Sequence, residues 1–506
     1  MSSSGRTKKF FYNSISTALN QIFIMIAGLI TPRIMLKYYG SEINGLISSI
    51  TQFIGYFNLV EAGLSGAAIY ALYKPLADND HKAINGVVSA ANKFYTQSGY
   101  IFLSLTIGLS VFYPLFIDTD TLNPLNIGVL VLILGVNGAL EFFTLSKYRV
   151  LLTADQRTYV VSLASAAHII VNTVVVIILG RMQVDIVILR LVALSSIFLR
   201  SFILMIYCKI KYKFLDYSAK PNTSALNKRW DALYLQILGV VHTGAPVVIL
   251  TLVTKDLKLV SLYTVFNMVI AGVGGILGIF QSGLAASFGD VIAKKETNVL
   301  QKSYSEFEFS YYALITIVYS VSFIMIMPFI RIYTAGVTDI NYNEPLVGFL
   351  FVLNGLLYNL KTPQGMLVIS AGMYKETRIQ TTIQGAIVVI LGLALTPFIG
   401  IYGVLIASIL SNLYRDIDLM FFIPKNVTKL PVVNTVKRML IVIVTTFIIW
   451  LPSFTIDISP NGYIQWVINA VPVGIFACVV VVLISIIFDR GALKGVFKRV
   501  LSVVKR

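Results

Sequence analysis

Charge is scarce in this chain of 506 residues. Asp, Glu, Lys and Arg together make up 12% of it, about half the share of an ordinary soluble domain, which excludes a soluble globular fold of this length. Cysteine is nearly missing as well. Cys208 and Cys478 are the two present, and both lie in apolar runs, so a disulfide framework is excluded and a core or lipid-facing role expected. The three histidines, His81, His168 and His242, are scattered, and none of them joins a cysteine at metal-ligand spacing. No Walker-type glycine loop is found, which argues against ATP hydrolysis by the chain itself. No polar segment is long enough to hold a catalytic domain, so neither an enzymatic activity, a metal nor a cofactor is expected.

What is abundant is apolar sequence, 57% of the chain. A bilayer core needs about 20 apolar residues per spanning helix. Such stretches lie near residues 10–36, 44–73, 94–117, 124–152, 158–180 and 184–208, then near 231–254, 259–291, 304–333, 345–371, 377–399 and 401–423, and finally near 438–456 and 463–488. This predicts about fourteen transmembrane helices in an all-α integral membrane protein, because only helices satisfy their own backbone in lipid in such numbers. The run from Phe10 to Leu36 is too long for a signal-peptide core and lacks a small-residue cleavage site, so it reads as retained. Most of the 40 Lys and Arg residues fall in every second break between these runs. By the positive-inside rule both termini are then cytoplasmic, as an even number of spans requires.

The longest polar segment, Lys209 to Asp231, divides the chain into comparable halves. Asn137-Gly138 and Thr153-Ala154 in the first half match Asn354-Gly355 and Ser370-Ala371 in the second. Ala62-Gly63-Leu64 is a looser match to Ser282-Gly283-Leu284 at a similar offset. The expected organisation is an N-terminal six-helix bundle over 1–208, a basic cytoplasmic linker over 209–230, a second six-helix bundle over 231–423, and two further helices with a basic tail over 424–506. Six crossings restore the original orientation, so two pseudo-symmetric bundles around a central cavity follow, an arrangement suited to alternating access.

Polar and charged groups inside spans are expensive in lipid and are functional candidates by default. Arg190 and Arg200 lie in the sixth span. Counted from Val184 at about 1.5 Å per residue, Arg200 is more than half-way across, and on an unbroken helix the two guanidiniums are about 80° apart, near enough to face one lumen. Arginine there predicts bidentate capture of an anionic group, with snorkelling to headgroups as the structural alternative. Arg33 follows Pro32 near the outer end of the first span, and Lys361 precedes Thr362-Pro363, which interrupts the tenth. Both are further candidates for a cationic lumen. Glu61 is an intramembrane carboxylate, open to pairing with an arginine, to carrying a coupling proton, or to a purely structural role. His168 and His242 are candidates for coupling or gating, against a default role as satisfied packing residues. The first span also carries a polar stripe, Asn13, Thr17, Asn20 and Thr31, and the second a strip of small residues that includes Gly45, Ser48, Gly55 and Gly66, suited to close helix packing.

The stretches Leu36-Lys37-Tyr38-Tyr39-Gly40, Ile43-Asn44-Gly45-Leu46 and Phe57 through Ala67, followed by Lys74-Pro75-Leu76-Ala77 and Asp80-His81-Lys82, resemble the opening of bacterial polysaccharide-biosynthesis flippases. These are the Wzx-type O-antigen and capsule transporters of the multidrug/oligosaccharidyl-lipid/polysaccharide exporter superfamily. The resemblance implies two six-helix bundles with two appended helices, a cationic lumen onto which Arg33 maps, and a polyprenyl-diphosphate-linked oligosaccharide as cargo. It further implies a multi-pass place in the bacterial cytoplasmic membrane, with membrane lipids and other polysaccharide-assembly proteins as partners and no nucleic acid. A cation-coupled multidrug exporter or a peptidoglycan-precursor flippase of the same superfamily is the nearest alternative. A membrane-embedded polymerase or glycosyltransferase is the alternative from another class, and its usual large outer loop or acidic metal motif is not visible.

Overall fold

The computed structural model describes residues 3–117, 119, 121–223, 229–281, 284–455 and 458–496. The Ser282-Gly283 pair and the basic tail beyond residue 496 lie outside the described residues. So do the side chains of Arg6 and Lys8. The described residues are helical throughout and contain no β-strand. By internal contacts the chain divides into Met1–Ser261 and Leu262–Arg506.

The first unit opens with α1 (Ser3–Phe57), a helical run interrupted at Gly40. There φ is 81° and ψ 173°, a conformation that glycine adopts without steric cost. A short 3-10 turn over Asn58–Glu61 follows, and Gly63, left-handed at φ 79°, leads into α2 (Leu64–Asp78). Asp80 caps α3 (His81–Phe116) by accepting from the Ala83 amide at 2.9 Å. Asn123 does the same for α4 (Pro124–Thr144), whose first residue is a proline that gives up no hydrogen bond there. The remaining helices of the unit are α5 (Ser146–Ala154), α6 (Thr158–Arg181), α7 (Ile186–Leu194), α8 (Ser196–Lys211) and α9 (Arg229–Thr254), with the start of α10 (Leu257–Gln281).

Apolar residues spaced along these helices fill one core, from Met35, Leu46 and Ile50 on α1 to Phe102, Leu130, Leu151 and Leu189. Of the expected small-residue strip Gly45 packs closely, whereas a Cβ on Gly66 would meet nothing within 4 Å. A Cβ on Gly45 would collide with the Leu257 carbonyl, and one on Gly244 would meet Gln52 and Tyr56. Two members of the polar stripe, Asn13 and Thr17, bond to α6 and the turn before it, while Asn20 Oδ1 is buried with no partner among the described residues. Asn13 donates to the Gln156 carbonyl at 3.0 Å and accepts from the Tyr159 amide at 2.8 Å, while Thr17 and Ser162 hydroxyls are 3.3 Å apart. At the same turn Asp155 accepts from Tyr212 and Arg157, each at 2.6 Å, and from Lys9 at 3.0 Å.

The second unit continues α10 and adds α11 (Leu284–Ala293), α12 (Thr297–Tyr333), α13 (Pro345–Leu360), α14 (Thr362–Ser370), α15 (Arg378–Ile399) and α16 (Ile401–Ile423). α17 (Val432–Trp450) and α18 (Tyr463–Phe488) pack on α12. Their attachment has a polar anchor at each end. Arg438 on α17 pairs with Glu308 of α12 and with Asp489 just past α18, both at 2.9 Å, and bonds the Ser305 carbonyl and hydroxyl. Glu308 is 2% exposed and also accepts from Tyr304, Gln364 and Thr435. At the far end the Trp466 indole donates to the Met325 carbonyl at 3.0 Å, within a cluster that includes Phe329 and Tyr463.

The outer surface is apolar where a soluble protein is polar. Phe398 is 85% exposed and Ile464 80%. Such area costs about 25 cal/mol per Å² in water and nothing comparable against acyl chains. Among the described residues eleven helical stretches are long and apolar enough to span a bilayer, so the protein is a multi-pass membrane protein, all-helical in those residues. One of the eleven, Phe11–Asp78, contains the interruptions at Gly40 and at residues 58–63. The expected tenth and twelfth spans are not among them. α13 and α14 are each too short alone, and α16 carries Arg415, Asp416 and Asp418.

Candidate functional site

Among the described residues four helical tracts are interrupted mid-way, and three of the interruptions bring charge together in the first unit. The 3-10 turn at 58–61 carries Glu61. The junction at Leu145 separates Glu141 on α4 from Arg149 on α5. A turn at Ser195 separates α7 from α8, which carries Arg200. Tighter i to i−3 bonds appear at two of these junctions, from the Tyr148 amide to the Leu145 carbonyl, beside the regular bond from Arg149, and from the Phe198 amide to the Ser195 carbonyl. Broken helices at membrane depth are tolerated where they serve a polar site.

The side chains form a chain of four charges. Arg149 Nη2 binds Glu61 Oε1 at 2.6 Å, and its Nη1 lies 3.5 Å from Glu141 Oε1. Arg200 Nη1 approaches that same Glu141 oxygen at 3.4 Å. Two guanidiniums on different helices therefore converge on one carboxylate oxygen. The pair to Glu61 is short and sheltered, with side-chain exposures of 28% and 18%; Glu141 is the most open member at 37%, and Arg200 is 15% exposed. Arg200 Nε is buried with no hydrogen-bond partner. Tyr95, 1% exposed, lies within electrostatic range of Glu61 and Arg149. Ser201 donates to Thr144 at 2.7 Å, tying α8 to the end of α4 beside the junction.

Of the residues singled out in the sequence, Arg200, Glu61 and His168 belong to this neighbourhood. His168 lies on α6, within range of Arg200 and Glu141, and its Nδ1 is buried without a partner. Arg190 stands apart, on α7, near Tyr39, whose hydroxyl bonds the Val184 carbonyl at 2.6 Å. The turn at Ser195 means that phase cannot be counted from Arg190 to Arg200 as along one regular helix. Arg33 is half-buried on α1 beyond Pro32, and His242 is half-buried on α9. Lys361 belongs to the second unit, at the interruption between α13 and α14. It donates to Asn412 of α16 at 2.6 Å, lies 4.7 Å from the centre of the Tyr358 ring and is within range of Asp416.

Glu141 and Arg149 escape the sequence reading for different reasons. Glu141 is the one charge in the apolar run of α4, a signal that was available. Arg149 has neighbours Lys147 and Arg157 and reads as part of a basic break. Its partner is 88 residues away, and no local pattern announces that.

No protein-family profile matches the chain, and no characterised protein matches it in sequence. Solved structures do. The lipid II flippase MurJ in an inward closed conformation is similar at a TM-score of 0.67 with 16% identity, over 95% of this chain and 99% of that one. An inward-facing multidrug resistance MATE transporter of the MOP superfamily is similar at 0.63 with 13% identity, over 85% and 98%. A MATE protein in a bent conformation reaches 0.57 with 12% identity, over 87% and 97%. The fold is therefore of the kind found in these transporters.

Proposed function

We propose that the protein is a flippase for a lipid-linked anionic cargo, a polyprenyl-diphosphate-linked oligosaccharide, moved from the inner to the outer leaflet of the bacterial cytoplasmic membrane. The observation that carries the reading is the convergence of Arg149 and Arg200 on one carboxylate oxygen at broken helices. Diphosphate and sugar hydroxyls lose their hydration in hydrocarbon and cannot cross unaided. A guanidinium fork replaces that hydration with hydrogen bonds matched to phosphate oxygens, which an ammonium does less well. A lipid tail left in the bilayer would not need to enter the site at all.

The same proposal includes fourteen crossings, obtained by counting the two halves of α1 separately and adding α13 with α14 and α16. It includes both termini on the cytoplasmic side, the bundles over 1–208 and 231–423 joined by the basic linker over 209–230, and alternating access between them. Internal duplication is supported by the interruptions at Leu145 and Lys361, near-equivalent positions in the matched stretches, and by the starts of α2 at Leu64 and α11 at Leu284.

In cells, Arg200→Ala should leave the protein in the membrane at normal abundance while lipid-linked oligosaccharide accumulates in the inner leaflet. Surface polysaccharide should fall at least about tenfold, the loss of one charge-assisted contact. Unimpaired polysaccharide export by that variant would remove the reading. A drug exporter of the MATE kind is the second reading, favoured by the likeness to those structures. It predicts drug efflux from reconstituted vesicles that Arg200→Ala leaves intact.

A further inference from the structure

The four-charge chain holds two carboxylates and two guanidiniums, so it is neutral as it stands, which is a poor state in which to attract an anion. The way the charges are shared is uneven, however. Glu61 grips Arg149 at 2.6 Å in a sheltered pair. Glu141 reaches Arg149 and Arg200 through a single oxygen at 3.5 and 3.4 Å, longer than the 2.7–2.9 Å of a strong charge-assisted bond. Glu141 is also the most exposed of the four. Arg200 keeps a buried Nε–H with no acceptor.

We infer that Glu141 is a displaceable occupant of a phosphate seat formed by Arg149 and Arg200. The ligand is a phosphate or diphosphate group, which rests on the proposed function for its source in the cargo. Glu141 keeps the two guanidiniums neutralised while the seat is empty, since two like charges facing each other without an anion repel. A phosphate carries enough oxygens to satisfy both guanidiniums and the idle Arg200 Nε–H, which the single shared oxygen of Glu141 does not. Arrival of the phosphate releases the carboxylate, the most exposed of the four charges. Glu61 takes no part in the exchange and keeps Arg149 aimed. The arrangement sets a threshold: a weakly charged lipid headgroup does not displace Glu141, whereas a diphosphate does.

The test uses the full-length protein in lipid nanodiscs, with inorganic pyrophosphate as probe and calorimetric titration as the readout. The variants are Glu141→Gln, which keeps the size and removes the competing charge, and Arg200→Ala. Glu141→Gln is expected to bind pyrophosphate at least about tenfold more tightly than the unmodified chain, and the double variant Glu141→Gln/Arg200→Ala to lose that gain. Phosphatidylglycerol vesicles added as competitor should reduce the affinity of Glu141→Gln more than that of the unmodified chain, because the threshold has gone. Equal or weaker pyrophosphate binding by a folded Glu141→Gln overturns the displacement. If Arg200→Ala alone then still lowers affinity, the phosphate reading of the site survives and only the role of Glu141 falls. Pyrophosphate binding that neither substitution changes overturns both. Thermal unfolding of each variant in the nanodisc, required to match the unmodified chain within a few degrees, keeps misfolding from passing as either result.

Discussion

At the scale of single residues, the structure is governed by where each buried charge finds its partner. Asp155 shows this at the turn between α5 and α6, outside the spanning helices. Burial opposes its ionisation, but hydrogen bonds from Tyr212, Arg157 and Lys9 outweigh that effect and hold its carboxyl below the ordinary 3.8. A carboxylate with a depressed folded-state pKa contributes stability that is fully present above the unfolded value and disappears as pH falls through the folded one. Asp155→Asn should therefore destabilise the protein by roughly 1.5–3 kcal/mol at neutral pH, the range for hydrogen bonds to a charged group. The difference from the unmodified chain should shrink as pH falls below 3.8. Thermal unfolding as a function of pH measures this, and a deficit that persists unchanged in acid would contradict it.

Residue by residue, the charges differ in how legible they were. Glu61 and Arg200 could be picked out because an ionised group in an apolar run is conspicuous whatever it touches. Arg190 was conspicuous for the same reason, yet it lies on α7 near Tyr39, since chemistry alone does not say which way a helix face turns. Lys361 was expected at an interruption, facing water or another helix, and it meets Asn412 of α16. The ion pair between Arg415 and Asp418, at 2.5 Å, was likewise readable from its spacing of three. Asp416 between them is 3% exposed, and neither carboxyl oxygen has a hydrogen-bond partner among the described residues.

At the scale of elements, the lengths and apolar character of the helices were readable because lipid imposes a length on every crossing. Their interruptions were readable only where sequence marks them, as at Lys361-Thr362-Pro363; the break at residues 58–63 falls inside the expected second span. The turns at Leu145 and Ser195 carry no such mark, and they are held by packing and by the Ser201 to Thr144 bond. The attachment of α17 and α18 to α12 was not readable at all, because it depends on Arg438 meeting Glu308 130 residues away. That attachment is testable. Arg438→Ala leaves Glu308 buried and unpaired, which should cost about 3–5 kcal/mol, whereas replacing both residues by apolar ones of similar volume should recover most of it. Calorimetric unfolding of the single and double variants measures the difference. An Arg438→Ala protein as stable as the original would mean that the anchor is idle.

At the scale of the whole molecule, the alternation of basic and nearly uncharged breaks predicts the sidedness of the chain. Fluorescent or protease-sensitive tags fused at both ends should be reachable only from the cytoplasmic face of inverted vesicles, and a tag placed at Asn461 only from the opposite face. Tags at the two ends that report opposite sides would require an odd number of crossings and would undo the proposed count of fourteen. This expectation draws on composition alone, since charge placement is a bulk property of loops and needs no side-chain contact.

α18 buries only Ala477, Val481 and Ser485 among its 26 residues. A rod about 39 Å long is thus wetted by hydrocarbon along nearly its entire flank and fastened through Asp489 at one tip and Trp466 at the other. Between those fastenings it rests on α12 through Ala477 and Val481, and the bilayer supports the rest. Stripping annular lipid with a harsh detergent removes that support while sparing both bolts, so the last two helices should be the first to splay during purification and the first to re-seat when lipid is returned.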